Sequence, residues 1–298
     1  MKKDVLVITN PISGRGSIKQ HLLSIVLKLS ALDYEVSVYP TKKKGDATRY
    51  IKTNQKTKDL IVVTGGDGTL NEVTSGLIQQ NIQTPIIYLP TGTTNDFATT
   101  LGIPKQVPQA LEMGLKQNFT LIDVGKFNER YFSYVAAFGA FTDVVYETPQ
   151  GRKNRLGGLA YLIEGILKLP TVQSYECEIQ YDGQTIQGDY IFGMISNSDS
   201  VAGIKNAFGN QADLQDGLFE VTLIRAPKTL IDFHRILNDF LNTNYDPEYV
   251  LTFKTNHIRI QSQKAMKWTL DGEDGGALNE VQIENLNQRL MIAVPSSR

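Results

Sequence analysis

The stretch Leu60-Ile61-Val62-Val63-Thr64-Gly65-Gly66-Asp67-Gly68-Thr69-Leu70-Asn71-Glu72 constrains the fold more than any other. Its apolar run has no polar alternation, which reads as a strand covered on both faces, as in a parallel sheet between helices. Leu70, Val73 and Leu77 then recur at i, i+3 and i+7, the spacing of a helix. The turn between them carries Gly65, Gly66 and Gly68. These residues permit φ > 0 and close approach to bare backbone, where a helix offers its first N–H groups. That geometry suits a phosphate. Asp67 does not suit a bare phosphate, because a carboxylate beside a polyphosphate is repulsive unless a cation lies between; a hard divalent ion, Mg2+, resolves the conflict. The competing reading is an ordinary glycine turn whose Asp67 caps the helix that follows.

The same order of strand, polar glycine loop and helix opens the chain. Val5 to Ile8 predicts a strand, and Ile18, Leu22, Ile25, Val26 and Leu29 one face of a helix. Between them, Asn10-Pro11-Ile12-Ser13-Gly14-Arg15-Gly16 is either a second phosphate cradle or a plain βα turn. Val36 and Val38 mark a further strand closed by Thr41; Lys42-Lys43-Lys44 reads as a solvated loop and Gly45-Asp46 as the start of a short helix. Ile86 to Leu89 predicts another strand, ending in Pro90-Thr91-Gly92-Thr93-Thr94-Asn95-Asp96-Phe97. In an open parallel sheet such loops share one edge, where ligands bind, so Asn10, Thr41, Asp67, Thr93 and Asp96 are expected to converge.

Val107, Ala110, Leu111 and Leu115 suggest one more helix, and after Leu121 to Gly125 the pattern changes. Tyr175, Cys177, Ile179 and Tyr181 alternate up to Asp182-Gly183, a hairpin signal. Tyr190 to Ile195, Leu218 to Ile224, His257 to Ile260 and Lys267 to Leu270 read as further strands. Two helical patterns interrupt them, Leu159, Leu162, Ile163 and Ile166, then Leu230, Phe233, Leu237, Phe240 and Leu241. A domain boundary is expected near 124 to 130, without a Pro/Ser/Gly-rich linker.

The composition excludes several classes. At 298 residues, 41% hydrophobic and 20% charged, the chain has material for two domains and an ordinary core. Thirty basic against 31 acidic residues leave no global footprint for nucleic acid. One cysteine, Cys177, cannot form an intrachain disulfide, and His21, His234 and His257 are too scattered for a zinc site, so a reducing cytoplasm is the expected location. Tyr131 to Phe141, the most continuous apolar stretch, is too short to span a bilayer, so any membrane contact is expected to be peripheral. The only Gly-Lys pair, Gly125-Lys126, precedes Phe127, so there is no P-loop. The dinucleotide pattern is missed too, because Lys19 and Asn71 stand where its third glycine belongs.

Taken together, the Asn-Pro-x-Ser-Gly loop, the Gly-Gly-Asp-Gly-Thr-x-Asn-Glu turn, Gly-Thr-x-Asn-Asp-Phe, Asp-x-Gly, Asp-Gly-x-Phe and the late Leu270-Asp271-Gly272-Glu273 make the sequence resemble the soluble bacterial lipid kinases, relatives of diacylglycerol and sphingosine kinases. The resemblance spans nearly the whole chain. It implies an N-terminal doubly wound α/β nucleotide-binding domain over 1–125, to which 287–298 return, and a β-rich, sandwich-like lipid-substrate domain over 126–286. The active site is expected in the cleft between the domains.

Carried over by position, the ATP contacts implied by the family fall on Asn10, Pro11, Ile12, Ser13, Gly14 and Thr41. They continue through the turn of Gly66, Asp67, Gly68, Thr69, Leu70, Asn71 and Glu72 to Thr93 or Thr94. Asp67, Asp96 and Asp123 would anchor a Mg-ATP network, although Asp96 also reads as a helix cap and Asp123 as a surface acid at a strand end. A second, structural Mg2+ is placed on Asp213, Asp216 and the main chain of Leu218, where Asp216-Gly217 alone would be only a turn signal. Glu273 is the implied general base, with Asp271 second in line.

A lipid acceptor implies reversible docking on an anionic membrane surface. Arg15, Arg152, Lys153 and Arg155 are the candidate contacts; Arg152 to Arg155 reads equally as a solvated basic loop, and Glu164 stands where the family carries a basic residue. The expected activity is transfer of the γ-phosphoryl group of ATP to diacylglycerol, giving phosphatidic acid. Monoacylglycerol, a sphingoid base or undecaprenol as acceptor, NAD-kinase-like phosphorylation of a soluble nucleotide, a non-catalytic nucleotide-binding role, and a homodimer all remain open at this stage.

Overall fold

The computed structural model describes residues 2–16, 18–54, 58–93, 95–139, 173–197, 200–201, 204–205, 213–229, 231–236 and 246–296. The chain divides into one unit made of Met1–Asp123 and Gln288–Arg298 and a second made of Val124–Asn287.

In the first unit, β1 (Lys3–Thr9), α1 (Ile18–Ala31), β2 (Tyr34–Pro40), α2 (Asp46–Thr53), β3 (Leu60–Gly65), α3 (Asp67–Gln79) and β4 (Ile86–Pro90) alternate along the chain. The strands lie parallel in the order β4-β3-β1-β2, with Val5 opposite Leu60 and Ile61 opposite Ile86. Every residue of β3 and β4 is buried, which explains why those runs show no polar alternation. Each such Val, Leu or Ile contributes roughly 1.5–3 kcal/mol of apolar burial.

Right-handed crossovers from β1 out to β2, then back through β3 to β4, place α1 on one face and α2 with α3 on the other. The packing agrees: α2 lies on α3, and α1 on α5 (Val107–Leu115), which follows the short α4 (Asp96–Thr100). The strand order reverses between β1 and β3, so their C-terminal ends form the topological switch point where ligands bind in such sheets.

The chain leaves this unit within β5 (Phe119–Phe127). The second unit is antiparallel, built from β6 (Arg130–Phe132), β7 (Val135–Gly139), β8 (Tyr175–Tyr181), β9 (Gln184–Ser196), the short pair β10 (Ser200–Val201) and β11 (Ile204–Lys205), β12 (Phe219–Arg225), β13 (Val250–Thr255), β14 (His257–Leu270) and β15 (Glu273–Ala293). Both β9 and β14 pair with β8 along one half and with β7 along the other. The sheet thereby folds over a core that includes Phe132, Phe138, Tyr190, Phe219 and Trp268. Cys177 is buried in this core, and burial pushes its thiol up to about 12, which leaves it an inert apolar group. The end of β15 lies in the first unit, where Ile292 pairs in parallel with Ile86.

One expectation changes here. His257 to Ile260 and Lys267 to Leu270 belong to one strand, β14, whose pairing with β15 shifts register between Gln261 and Met266. β14 and β15 are joined by Asp271 and Gly272, at φ 50° and 78°, with Glu273 already paired with Leu270, and Gly275 bulges from the ladder where Thr269 opposes Asp274 and Trp268 opposes Gly276. Leu159, Leu162, Ile163 and Ile166 lie outside the described residues, as do Leu230, Leu237, Phe240 and Leu241. No helix among the described residues is long and apolar enough to cross a membrane.

Candidate active site

The C-terminal edge of the parallel sheet is a web of hydrogen bonds between successive strand ends. The Thr64 hydroxyl donates to Thr9 Oγ1 at 2.7 Å, and the N–H groups of Asn10 and Thr41 donate to the carbonyls of Thr64 and Thr9, both at 2.9 Å. Thr91 N–H donates to the Gly65 carbonyl at 2.8 Å. These bonds tie together the ends of β1, β2, β3 and β4, the strands that Asn10, Thr41, Asp67 and Thr93 follow.

The glycines of the central turn serve closeness and not handedness. None of Gly65, Gly66 and Gly68 has a positive φ, and Gly66 is extended at φ −91°, ψ −176°. What they provide is room. A Cβ on Gly65 would lie 2.5 Å from the Thr69 hydroxyl oxygen, and one on Gly92 would lie 2.6 Å from Gly66 Cα and 2.7 Å from Asn95 Oδ1. The loops after β3 and β4 therefore touch backbone to backbone. In the loop after β1, by contrast, Gly14 is left-handed at φ 55°.

Asp67 opens α3 but does not cap it. Its Oδ2 accepts the N–H of Asp96 at 2.9 Å, the first residue of α4, and its Oδ1 accepts the Tyr88 hydroxyl at 3.3 Å. One carboxylate thus binds the start of a different helix, and it brings Asp67 and Asp96 together. Asn95 closes the same loop, its amide accepting the Gly92 N–H and donating to the Gly92 carbonyl, each at 2.9 Å. Sequence reasoning missed Tyr88 by treating β4 as uniformly apolar. Its hydroxyl lies within 3.4 Å of Gly65 O, Asp67 Oδ1 and Asn95 Oδ1. Burial, then the charges of Asp67 and Asp96, hold the phenol well above its ordinary pKa, so it remains a neutral donor. A lone polar-tipped aromatic at the polar end of an aliphatic strand was the available signal.

The other expected nucleotide residues fall into two groups. Asn10 Oδ1 accepts the Ile12 N–H at 3.2 Å and its amide nitrogen lies 3.4 Å from Thr69 Oγ1, joining the first loop to α3. Gly14 and Thr93 line one cleft of about 540 Å³, with His21, Thr91, Gly92, Asn95 and Lys105. Glu72 faces elsewhere: its carboxylate accepts the N–H groups of Gly45 at 2.7 Å and Ala47 at 3.1 Å, capping α2, which has no side-chain cap of its own. Asn71 Oδ1 accepts the Ser75 hydroxyl at 3.2 Å. Pro11 and Ser13 stay in the loop after β1, Leu70 is buried on α3, and Thr94 lies outside the described residues. Asp123 is not the surface acid that a strand end suggests: it is wholly buried, and its Oδ1 accepts the Gln288 N–H at 2.8 Å, where the returning strand enters this unit.

In the second unit, the Asp271 carboxylate accepts three backbone N–H groups, from Ser133 at 2.6 Å, Tyr134 at 2.9 Å and Val135 at 3.1 Å. It is buried, and its own N–H donates to Val135 O at 2.8 Å. A carboxylate so engaged fixes the hairpin turn and is poorly placed to take a proton from a substrate. That corrects its position as second choice for the base. Glu273, two residues on, is only partly buried at the first position of β15.

Asp213 Oδ1 accepts Gln215 N–H at 3.0 Å, and Asp216 Oδ1 accepts Leu218 N–H at 2.9 Å. Asp216 Oδ2 is 3.1 Å from the Lys254 ammonium, which also lies 2.9 Å from Glu220. No cluster of three or more potential metal-ligating side chains occurs among the described residues. Arg152, Lys153 and Arg155 lie outside the described residues, as does the side chain of Arg15.

Comparisons with known proteins bear on both units. Residues 4–127 match the model of the diacylglycerol kinase catalytic domain, and residues 138–293 match the YegS C-terminal NAD kinase beta sandwich-like domain. The chain is 33% identical to the diacylglycerol kinase of Bacillus subtilis over 299 aligned residues, covering 99% of this chain and 98% of that protein. It is also 33% identical to the diacylglycerol kinase of Staphylococcus aureus (strain MRSA252), over 99% of this chain and 94% of that one. A solved structure of a diacylglycerol kinase from Bacillus anthracis aligns with a TM-score of 0.76 at 25% identity, covering 98% of this chain and 97% of that chain. The chain belongs to the diacylglycerol kinase family.

Proposed function

We propose that the protein is an ATP-dependent lipid kinase that transfers the γ-phosphoryl group to the hydroxyl of diacylglycerol, giving phosphatidic acid. The observation that carries this reading is the contact of the glycine loops after β3 and β4, tied by Asp67 to the start of α4. It places bare backbone, a helix N-terminus and two carboxylates at the switch point of a parallel sheet, in a chain whose relatives at 33% identity are diacylglycerol kinases along their whole length.

Asn10, Ser13 and Gly14, Thr41, the turn from Gly66 through Asn71, and Thr93 with Thr94 are proposed to hold the donor's phosphates and nucleoside, with Pro11, Ile12 and Leu70 shaping the loops and Glu72 fixing α2 beside them. The donor set at Asp67 and Asp96, hard carboxylate oxygens beside a phosphate-binding edge, fits Mg2+, with Asp123 supporting it from the core. When bound there, Mg2+ would neutralise phosphate charge during transfer. Glu273 is proposed to take the proton of the acceptor hydroxyl on a carboxylate oxygen, while Asp271 positions it by pinning the hairpin. A second, structural ion at Asp213, Asp216 and the Leu218 main chain would have to share Asp216 with Lys254. Arg15, Arg152, Lys153 and Arg155 are proposed contacts to an anionic surface, which a membrane-resident acceptor requires.

The test is transfer of label from γ-labelled ATP to a panel of lipids in mixed micelles: diacylglycerol, monoacylglycerol, a sphingoid base and undecaprenol, with NAD as the soluble control. Labelled phosphatidic acid is the expected product. Label on NAD and on no lipid would overturn the reading.

A further inference from the structure

α1 carries two apolar faces. Ile18, Ile25 and Leu29 are buried against the sheet, whereas Leu23 and Leu27, one turn apart, are 68% and 60% exposed. At 3.6 residues per turn the two leucines sit at the middle of the solvent arc, roughly opposite the buried face. Single exposed leucines are common, but an adjacent pair at the centre of a polar arc is not a by-product of core packing. Ile12, 81% exposed, stands in the loop that enters α1, and Leu32, 53% exposed, lies just past its end.

The charge that this segment itself carries has one sign. No Asp or Glu occurs between Asp4 and Asp33, while Arg15, Lys19 and Lys28 do, in a chain of formal net charge −1. From α5, Glu112 pairs with Lys28 at 3.0 Å and offsets that charge, leaving the Lys19 rim basic.

We infer that the outer face of α1, with Leu23 and Leu27 as its apolar ridge and Lys19 at its rim, seats on an anionic phospholipid leaflet. Charge selects this occupant over a second copy of the chain, because two such ridges would meet with like charge, whereas an anionic bilayer offers hydrocarbon for the leucines and phosphates for the rim. The inference rests on the reading that the acceptor is a membrane lipid. It would hold the loop from Asn10 to Gly14, which runs into α1, next to the surface where that acceptor resides.

The test is co-sedimentation with vesicles of phosphatidylglycerol and phosphatidylcholine, or of phosphatidylcholine alone, for the parent protein, L23Q/L27Q and K19Q. All the substituted side chains are exposed, so unfolding curves should coincide. The parent should sediment with the anionic vesicles, the double variant should lose about tenfold or more in partitioning, and K19Q should lose less. Turnover of detergent-dispersed dioctanoylglycerol should stay within about twofold for all three, as expected of surface changes away from a site. Unchanged anionic-vesicle binding by L23Q/L27Q would overturn the inference. So would sedimentation-velocity evidence of a parent dimer that the double variant abolishes. A parent that binds vesicles through this ridge yet phosphorylates no lipid would leave the docking surface standing and remove the kinase reading.

Discussion

The chain contains two acid-and-glycine turns that look alike in sequence, Gly66-Asp67-Gly68 and Asp271-Gly272-Glu273, and they are built on opposite principles. In the first, the glycines keep ordinary negative φ and are needed because backbone meets backbone; in the second, Asp271 and Gly272 both adopt positive φ and space is no constraint, since a Cβ on Gly272 would meet only the Tyr134 hydroxyl at 4.0 Å. Both acids nevertheless do the same physical work. Each carboxylate gathers polar groups from a distant segment, Asp67 from α4 and Tyr88, Asp271 from the run Ser133 to Val135. The difference lies in what remains. Asp271 is buried among backbone donors, whereas Asp67 is only partly buried at the edge of the sheet, which suits one to architecture and the other to a ligand.

Removing the architectural acid should therefore have the largest effect. Asp271→Ala would leave three N–H groups without their acceptor at a buried site, and a single such orphan costs about 1–3 kcal/mol. Loss of ~3 kcal/mol or more in equilibrium urea unfolding is expected, or failure to accumulate as folded protein. Asp271→Asn, which keeps one acceptor oxygen, should fall between. An Asp271→Ala protein as stable as the parent would show the clamp to be incidental.

Glu273→Gln divides the same hairpin the other way. Turnover on diacylglycerol should fall ~100-fold or more, a barrier change of about 2.7 kcal/mol, while the unfolding midpoint stays put. Turnover within about threefold of the parent would remove Glu273 as the base. The glycines give the next contrast. Gly92→Ala should cost ~1–3 kcal/mol by overpacking against Gly66 and Asn95, and Gly272→Ala about 1 kcal/mol by left-handed strain alone. Only the first should also raise the KM for ATP. Equal effects on KM would mean that the closeness of the two loops does not shape the donor site.

Much of this was legible in the sequence, and the rest was hidden for identifiable reasons. The parallel sheet was readable because Leu60 to Val63 and Ile86 to Leu89 are apolar without alternation, which both-face burial requires. Asp182-Gly183 was readable as a hairpin from its dipeptide alone, and it forms one, with φ 46° and 73°. Asp271-Gly272 carries the same dipeptide and forms the turn between β14 and β15, with φ 50° and 78°. Tyr88 offered its phenol as a signal, but its partners could not be read, nor could the capping role of Glu72: both depend on groups brought together by the fold, seven residues away or more. The reason for Gly66 lay in Gly92, another strand end.

A third carboxylate extends the comparison and has the smallest expected effect. Asp46 follows Gly45 as Asp67 follows Gly66, and it too binds backbone, accepting the N–H groups of Lys42 at 2.8 Å and Lys43 at 3.1 Å, with the Arg49 guanidinium at 2.6 Å. The hydrogen bond from Lys42 is the main reason its carboxyl stays below the ordinary Asp range, ahead of the opposing effect of burial and the help of Lys43 and Arg49. A carboxyl with a lowered folded pKa stabilises fully above its unfolded value of about 3.9, and that contribution fades as pH falls through the folded value. Asp46→Asn should therefore be less stable than the parent at pH 7, and the gap should narrow steadily below about pH 4. Thermal melts of both proteins from pH 7 to pH 3 would show it. A gap that stays constant over that range would mean that Asp46 acts through its shape and not its charge, and would separate it from the charged clamp at Asp271.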